Sequence, residues 1–294
     1  MDFEHGSIWL VAPTQEEGWF TTDDGARLWY AVEGEGEPLV LCHGGPGLWD
    51  NLGRLATPLA AHALVVRWEQ RGSGRSEMVG PYTIDRFVAD LDQLRRHLGV
   101  ERWVVGGHSW GATLALHAAL ASPMTTRGLL YVSGVGIGRA WHVAYRAEAD
   151  RRRTSAELNR LHELKARSRT PDEEVEFRTL SWMPDFADQA EALALATVEA
   201  RSSFPINREA NTTLNAETGT WEESDLVGRC HRLMVPALIL HGDHDPRPSW
   251  ALSSLVDALP RCQLAVMPDV GHLPWVEAPQ ATTQLIDEFL ASIP

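Results

Sequence analysis

Short apolar runs recur at wide spacing along the chain and predict strands at Arg27–Val32, Leu39–Cys42, Leu64–Trp68, Trp103–Val105, Gly128–Val132, Ala237–Leu240 and Gln263–Met267. Several of these runs are continuously apolar and do not alternate, the pattern of a strand covered on both faces. Helical periodicity fills the gaps at Asp85–Leu98, Ala112–Ala121, Trp250–Ala258 and Gln280–Leu290. Strands alternating with helices predict an α/β protein with a mostly parallel central sheet flanked by helices. The alternation stops in the middle. From about residue 136 to 229 strand signal is scarce, and 138–168 and 184–203 are rich in Ala, Arg, Glu and Leu. Pro171, Pro184 and Pro205 punctuate this stretch, which reads as a helical insertion. The expected division is a core of 1–135 and 230–294 carrying a helical segment, 136–229.

One glycine-flanked serine changes the picture from fold to chemistry. Gly107-His108-Ser109-Trp110-Gly111 fits G-x-S-x-G, with a predicted strand before it and a predicted helix after it. A sharp strand-to-helix turn presents the Ser109 hydroxyl above the sheet. Glycine at either end removes side chains that would collide with the neighbouring strand and helix. The helix start adds backbone N–H groups and a field that favours developing negative charge. Serine is a poor nucleophile without a base, so a histidine held by a carboxylate is required. In this architecture the chain order is serine, acid, histidine.

Two downstream stretches supply those groups, ALILHGDHDPRPS at 237–249 and LAVMPDVGHLPWVEAP at 264–279. Each follows a strand-like run, so Asp243 or Asp245, and His272, fall at the carboxyl edge where open α/β sheets bind ligands. Composition alone does not separate the two aspartates. His108 neighbours the serine but should point away from it, His241 and His244 read as structural, and His97 and His117 as surface or packing residues. A second glycine cluster, LVLCHGGPG at 39–47, lacks the lysine and spacing of a phosphate loop. It suits close approach of backbone N–H groups to an oxyanion, with Gly45 and Trp110 as the donors. Glu69 and Arg71, in RWEQRGSGRS, read as loop anchors.

Bulk properties narrow the partners. The 294 residues include 40 acidic and 26 basic side chains, a formal net charge of −14. That argues against nucleic acid, which needs a basic surface. The start, MDFEHGSIWLVAPTQEE, has neither a basic leader nor an apolar span, so no membrane association and a cytoplasmic location are expected. Cys42, Cys230 and Cys262 are too scattered for a disulfide framework or a metal cluster. No zinc motif is present, and acyl transfer through serine needs no cofactor and no metal.

Together, HGGPG at 43–47, EQRGSGRS at 69–76, GGHSWG at 106–111, HGDHDP at 241–246 and the Gly271-His272 pair resemble the proline iminopeptidase group of the α/β-hydrolases. The resemblance covers nearly the whole chain, including FTTDDGARLWY at 20–30. It implies an α/β-hydrolase fold with a helical cap inserted before the acid loop, matching the break at 136–229. It also implies Asp245 as the acid, through the G-x-x-D spacing from Gly242, and His272 as the base. Cap glutamates that bind a substrate amine fall, by the same resemblance, on Glu199 and Glu209, with Glu222 or Glu223 as a further acid. The implied activity is release of an N-terminal proline or other small residue from a small peptide through an acyl-enzyme. Departures lie in the cap, at Ala196-Thr197-Val198 and at Thr212 and Thr213, where aromatics are usual, and Glu69 stands where aspartate is usual. The alternative on the same scaffold is an esterase, lactonase or small-amide hydrolase acting on a small-molecule acyl substrate. A catalytically dead ligand receptor is a different class, which the joint presence of Ser109, Asp245 and His272 disfavours. Trp141, Trp182 and Trp221 either line the acyl site or pack against the core.

Overall fold

The computed structural model describes residues 15–294. The amino-terminal stretch, read above as lacking a leader, lies outside the described residues up to residue 14. Eight strands form one sheet in the order β1-β2-β4-β3-β5-β6-β7-β8. They are β1 Glu16–Thr21, β2 Arg27–Glu33, β3 Glu37–Cys42, β4 Ala63–Trp68, β5 Trp103–His108, β6 Thr126–Val132, β7 Ala237–Gly242 and β8 Cys262–Met267. β1 and β2 pair antiparallel, as do β2 and β4; every pairing from β4 to β8 is parallel.

The continuous apolar runs have a direct explanation. Within β3, Val40 and Cys42 enter one apolar cluster, while Leu39 and Leu41 enter a second on the other face. β7 divides in the same way, Ala237 and Ile239 from Leu238 and Leu240. Each face is covered by helices, so period-2 polarity disappears. α2 Ile84–His97 and α3 Trp110–Ala121 contribute Phe87, Leu91 and Leu114 to the first cluster. α1 Gly53–Leu59 and α12 Pro279–Ser292 contribute Leu55, Leu59 and Ile286 to the second.

Between β6 and β7 the chain holds no strand, as the sequence pattern predicts. It runs through α4 Trp141–Arg151, α5 Ser155–Lys165, α6 Pro171–Trp182, α7 Ala192–Ala200, α8 Arg208–Thr218 and α9 Glu223–Cys230. The helical stretch expected over 138–168 is two helices, because Thr154 starts α5 afresh with a reciprocal capping box to Glu157. The stretch expected over 184–203 is helical only in α7, preceded by a 3-10 turn at Met183–Asp185. Trp250–Ala258 likewise divides into a 3-10 turn, Ser249–Leu252, and α10 Ser253–Ala258. A short α11, Pro274–Glu277, follows the histidine loop.

β1 was not predicted. Among the described residues it is an edge strand paired with β2 alone, and most of EEGWFT is exposed, so it lacks the apolar run that marks the central strands. β5 also runs further than its apolar residues indicate, carrying Gly106 and Gly107 within the sheet up to His108. Among the described residues no helix is long and apolar enough to cross a membrane.

Candidate active site

The turn between β5 and α3 is a single residue, Ser109, with φ 56° and ψ −119°. This is a strained conformation for a residue with a side chain. The flanking glycines make it sterically feasible. A Cβ on Gly107 would lie 2.0 Å from the Gly111 carbonyl oxygen, and one on Gly111 would lie 2.1 Å from that of Cys42. The Ser109 N–H donates to the Val132 carbonyl at 2.9 Å, which locks the elbow to β6. His108 turns the other way, as expected. Its ring sits between those of His272 and Trp275, each 4.6 Å away between centroids. His108 Nε2–H donates to the His272 carbonyl at 2.9 Å. Burial, reinforced by the neighbouring His272, holds His108 well below its usual pKa, so it stays neutral.

The acid and base loops meet below this elbow. Asp245 Oδ2 accepts from His272 Nδ1 at 2.6 Å, and both side chains are almost fully buried. The close approach depends on Gly242, where a Cβ would lie 2.1 Å from the Val270 carbonyl. Asp243 is different: it is exposed and pairs with the exposed His244, at 2.7 Å. The ambiguity between the two aspartates is therefore resolved by position, since Asp245 alone reaches the histidine. His241 is buried and bonded to the Arg247 carbonyl at 2.9 Å, a structural role. Burial opposes ionisation of Asp245, yet His272 and Arg247 together hold its carboxyl below the usual carboxylate range. The histidine backbone is fixed as well, with its N–H donating to the Asp185 carbonyl at 2.6 Å.

Arg247, Asp185 and Glu277 carry no signal in the sequence pattern. Arg247 donates from Nη1 to Asp185 at 2.7 Å and to Asp245 at 3.3 Å, and its guanidinium lies 4.5 Å from the Tyr145 ring centroid. Glu277 accepts from the N–H groups of Gly271 at 2.8 Å and Ala187 at 2.6 Å, joining the histidine loop to the segment after α6. These pairs span 62 and 90 residues of sequence, so no local pattern could find them.

Ser109 and His272 line a common cavity of about 260 Å³, lined also by Trp49 and Trp182, whose rings meet edge to face with centroids 6.0 Å apart. No hydrogen bond joins the serine and histidine side chains among the described residues; such contacts are often loose before substrate binds. Gly45 lines the same cavity. The N–H groups of Gly45 and Trp110 donate to no protein acceptor among the described residues, and Trp110 begins α3, where helix N–H groups lack intrahelical partners. Among the described residues no cluster of His, Cys, Asp or Glu is arranged to hold a metal ion.

Of the expected amine-binding acids, Glu199, Glu209, Glu222 and Glu223, only Glu199 lines the cavity. Glu199, at the end of α7, lines it beside Asn51 and pairs with Arg54 at 3.2 Å. Burial raises the Glu199 pKa against the opposing pull of Arg54 and Asn51. The structure does not bring Glu209 to the catalytic cavity: it is exposed and lines neither that cavity nor the one beside it. The reason is helix register. α8 buries Ala210 and Leu214 and ties Asn211 to the Pro46 carbonyl, leaving position 209 on the outside. Glu222 and Glu223 also stay outside, Glu223 accepting from Ser254. Trp182 lines the cavity with Ser109 and His272, whereas Trp141 and Trp221 line a second one. Glu69 is an anchor, accepting from Arg75 at 3.0 Å, and Arg71 grips Asp90 at 2.6 and 2.9 Å.

Comparison with known proteins agrees with this geometry. Residues 37–279 match the α/β hydrolase fold family. A proline iminopeptidase of Xanthomonas citri is 32% identical over 89% of this chain and 92% of its own. Among solved structures, the proline iminopeptidase of Mycobacterium smegmatis superposes with a TM-score of 0.67 at 22% identity, over 94% of this chain and 98% of that one. The meta-cleavage product hydrolase of Pseudomonas fluorescens IP01 superposes with a TM-score of 0.73 at 18% identity, over 94% and 98%. With a family match across most of its length and a full-length relative of this similarity, the chain belongs to the proline iminopeptidase family of α/β-hydrolases.

Proposed function

We propose that this protein is a serine aminopeptidase that releases an N-terminal proline or other small residue from short peptides. The observation that carries this reading is the buried Asp245–His272 pair, 2.6 Å apart, on one cavity with the strained Ser109 and the carboxylate of Glu199. His272 takes the proton of Ser109 as the hydroxyl attacks the scissile carbonyl. Asp245 holds the proton on Nδ1, leaving Nε2 as the base, and stabilises the imidazolium. The N–H groups of Gly45 and Trp110 receive the oxyanion. His272 then protonates the leaving amine, and water hydrolyses the acyl-enzyme. Glu199 receives the free α-amine in a charge-assisted hydrogen bond, which fixes the scissile bond one residue from the terminus.

In this reading residues 136–229 act as a cap over a core of 1–135 and 230–294. A cytoplasmic location is part of the proposal and fits the three unpaired thiols, Cys42, Cys230 and Cys262. The test is labelling with a fluorophosphonate followed by peptide mass analysis. The adduct should fall on Ser109 and vanish in Ser109→Ala and His272→Ala. An unlabelled protein, or an adduct on another serine, would remove the serine-hydrolase assignment.

A further inference from the structure

The active-site cavity does not end at the serine. A second chamber of about 520 Å³ opens beyond it, and the two share Gly45, Ser109, Tyr145 and Arg247. Their charges differ in sign. The first chamber carries two carboxylates, Asp185 and Glu199, beside the shared Arg247, with Asp185 paired to Arg247 and Glu199 to Arg54. The second carries Arg139, Arg146 and Arg247 and no Asp or Glu among its lining residues, although the chain has 40 acidic and 26 basic residues. Arg247 is already balanced by Asp185 and Asp245. Arg139 and Arg146 are not balanced: neither has a carboxylate within 4 Å among the described residues. Arg139 is held in place by its donation to the Gly219 carbonyl. Both arginines, after burial, hold the pKa of His142 on the same wall below its ordinary value. The remaining wall is apolar and aromatic, including Ile137, Trp141, Trp221 and Leu226.

We propose that this second chamber is the leaving-group site, and that Arg139 and Arg146 receive the terminal carboxylate of a short peptide there. The inference rests on the aminopeptidase reading. With the amine at Glu199 and the scissile carbonyl at Ser109, the departing portion must enter the space on the far side of the serine. A guanidinium pairs with a carboxylate through directed, charge-assisted hydrogen bonds, and the flanking aromatic wall suits an apolar side chain before it. The protein then selects di- and tripeptides with a free carboxyl end, since a longer or capped chain leaves the arginines unpaired.

The test compares kcat/KM for prolyl-alanine and prolyl-alanyl-alanine with that for their C-terminal amides, in wild type, Arg146→Gln and Arg139→Gln. At one of the two lengths the free acid should be preferred by roughly tenfold, since one well-placed charged contact supplies about that much discrimination. The acid-to-amide ratio should fall towards one in Arg146→Gln, whose side chain has no hydrogen-bond or ion-pair partner among the described residues, and the wild-type preference should shrink with added salt. Equal rates on acid and amide, or a ratio unchanged in both variants, would overturn the proposal while leaving the aminopeptidase reading intact. If no peptide is cleaved, that reading fails, and the chamber is read without turnover. Alanyl-alanine and its amide are titrated calorimetrically into Ser109→Ala protein with and without Arg146→Gln. Tighter binding of the acid, lost with Arg146, supports the anion site; equal binding, or none, overturns it.

Discussion

Replacing Asp245 by asparagine tests the geometry of the base most sharply. Asp245 Oδ1 accepts from the Arg247 N–H at 2.9 Å and from Arg247 Nη1 at 3.3 Å, while Oδ2 accepts from His272 Nδ1 at 2.6 Å. An asparagine must keep its oxygen towards the two Arg247 donors. Its NH2 then faces His272 Nδ1, which can only accept from it. The ring proton moves to Nε2, the atom that should receive the serine proton, and the base is lost. The expected fall in kcat is about 10⁴-fold, or about 5.5 kcal/mol in the barrier. The fold should survive, because Arg247 keeps Asp185 at 2.7 Å, with a stability loss of about 1–3 kcal/mol. Asp243→Asn is the control: it changes an exposed carboxylate that pairs with His244 away from the catalytic histidine, and it should leave kcat within about twofold. The assay is steady-state release of a chromophore from prolyl anilide and from a simple acyl ester, with thermal melts alongside. Because the folded-state pKa of Asp245 is depressed, its contribution to stability is present above the unfolded value of about 3.9 and is lost as pH falls below that. Any acid limb of the rate near neutral pH therefore belongs to another group. Activity within tenfold of wild type in Asp245→Asn, or an equal loss in Asp243→Asn, would refute this reasoning.

The remaining predictions concern the elbow, the buried charges and the amine site. Gly111→Ala puts a methyl 2.1 Å from the Cys42 carbonyl oxygen and 2.4 Å from that of His43, both backbone atoms, so Tm should fall by about 10 °C or more in a calorimetric scan. Asp90→Ala leaves the fully buried Arg71 guanidinium with Asp24 and the Gly80 carbonyl but without its buried carboxylate, and denaturant titration should show a loss of about 3–5 kcal/mol, with kcat retained in the folded fraction. Burial, helped by Arg229, lowers His117 to about 4, so it is neutral in the native state and gains a proton on unfolding below about pH 6.5. Stability is therefore full above pH 6.5 and declines as pH falls towards 4; His117 alone accounts for about 2 kcal/mol between pH 7 and 5, a slope that His117→Gln should reduce in denaturant titrations at the two pH values. Glu199→Gln should lower the ratio of free-amine anilide to ester turnover by about tenfold or more; an unchanged ratio would remove Glu199 from amine binding.

The elbow was legible because its chemistry is local: an apolar strand, a serine between two glycines and a helix are consecutive in the chain. The continuous apolar runs predicted the parallel strands for the same reason, since Leu39 to Cys42 serve both faces at once. The choice between Asp243 and Asp245 was not legible from composition. It depends on which carboxylate meets His272, 27 residues away. Glu209 shows the limit of carrying a role over by position. Its neighbours Ala210 and Leu214 set the buried face of α8, and that register turns the glutamate outward. Arg247 and Glu277 join segments far apart in the chain, and β1 shows mostly polar surface, so neither left a periodic trace.

The central claim is that one cavity combines serine acyl transfer with recognition of a free amine. Its most direct measurement is kcat/KM for prolyl and alanyl anilides, their N-blocked forms and simple acyl esters, all with the same enzyme. The account predicts cleavage of the free-amine prolyl anilide at least about a hundredfold faster than its N-blocked form, since the blocked form has no charged amine to pair with the half-buried Glu199 and leaves that carboxylate with Arg54 and Asn51. Activity confined to esters or N-blocked compounds would contradict it and assign the cavity to an esterase or amidase.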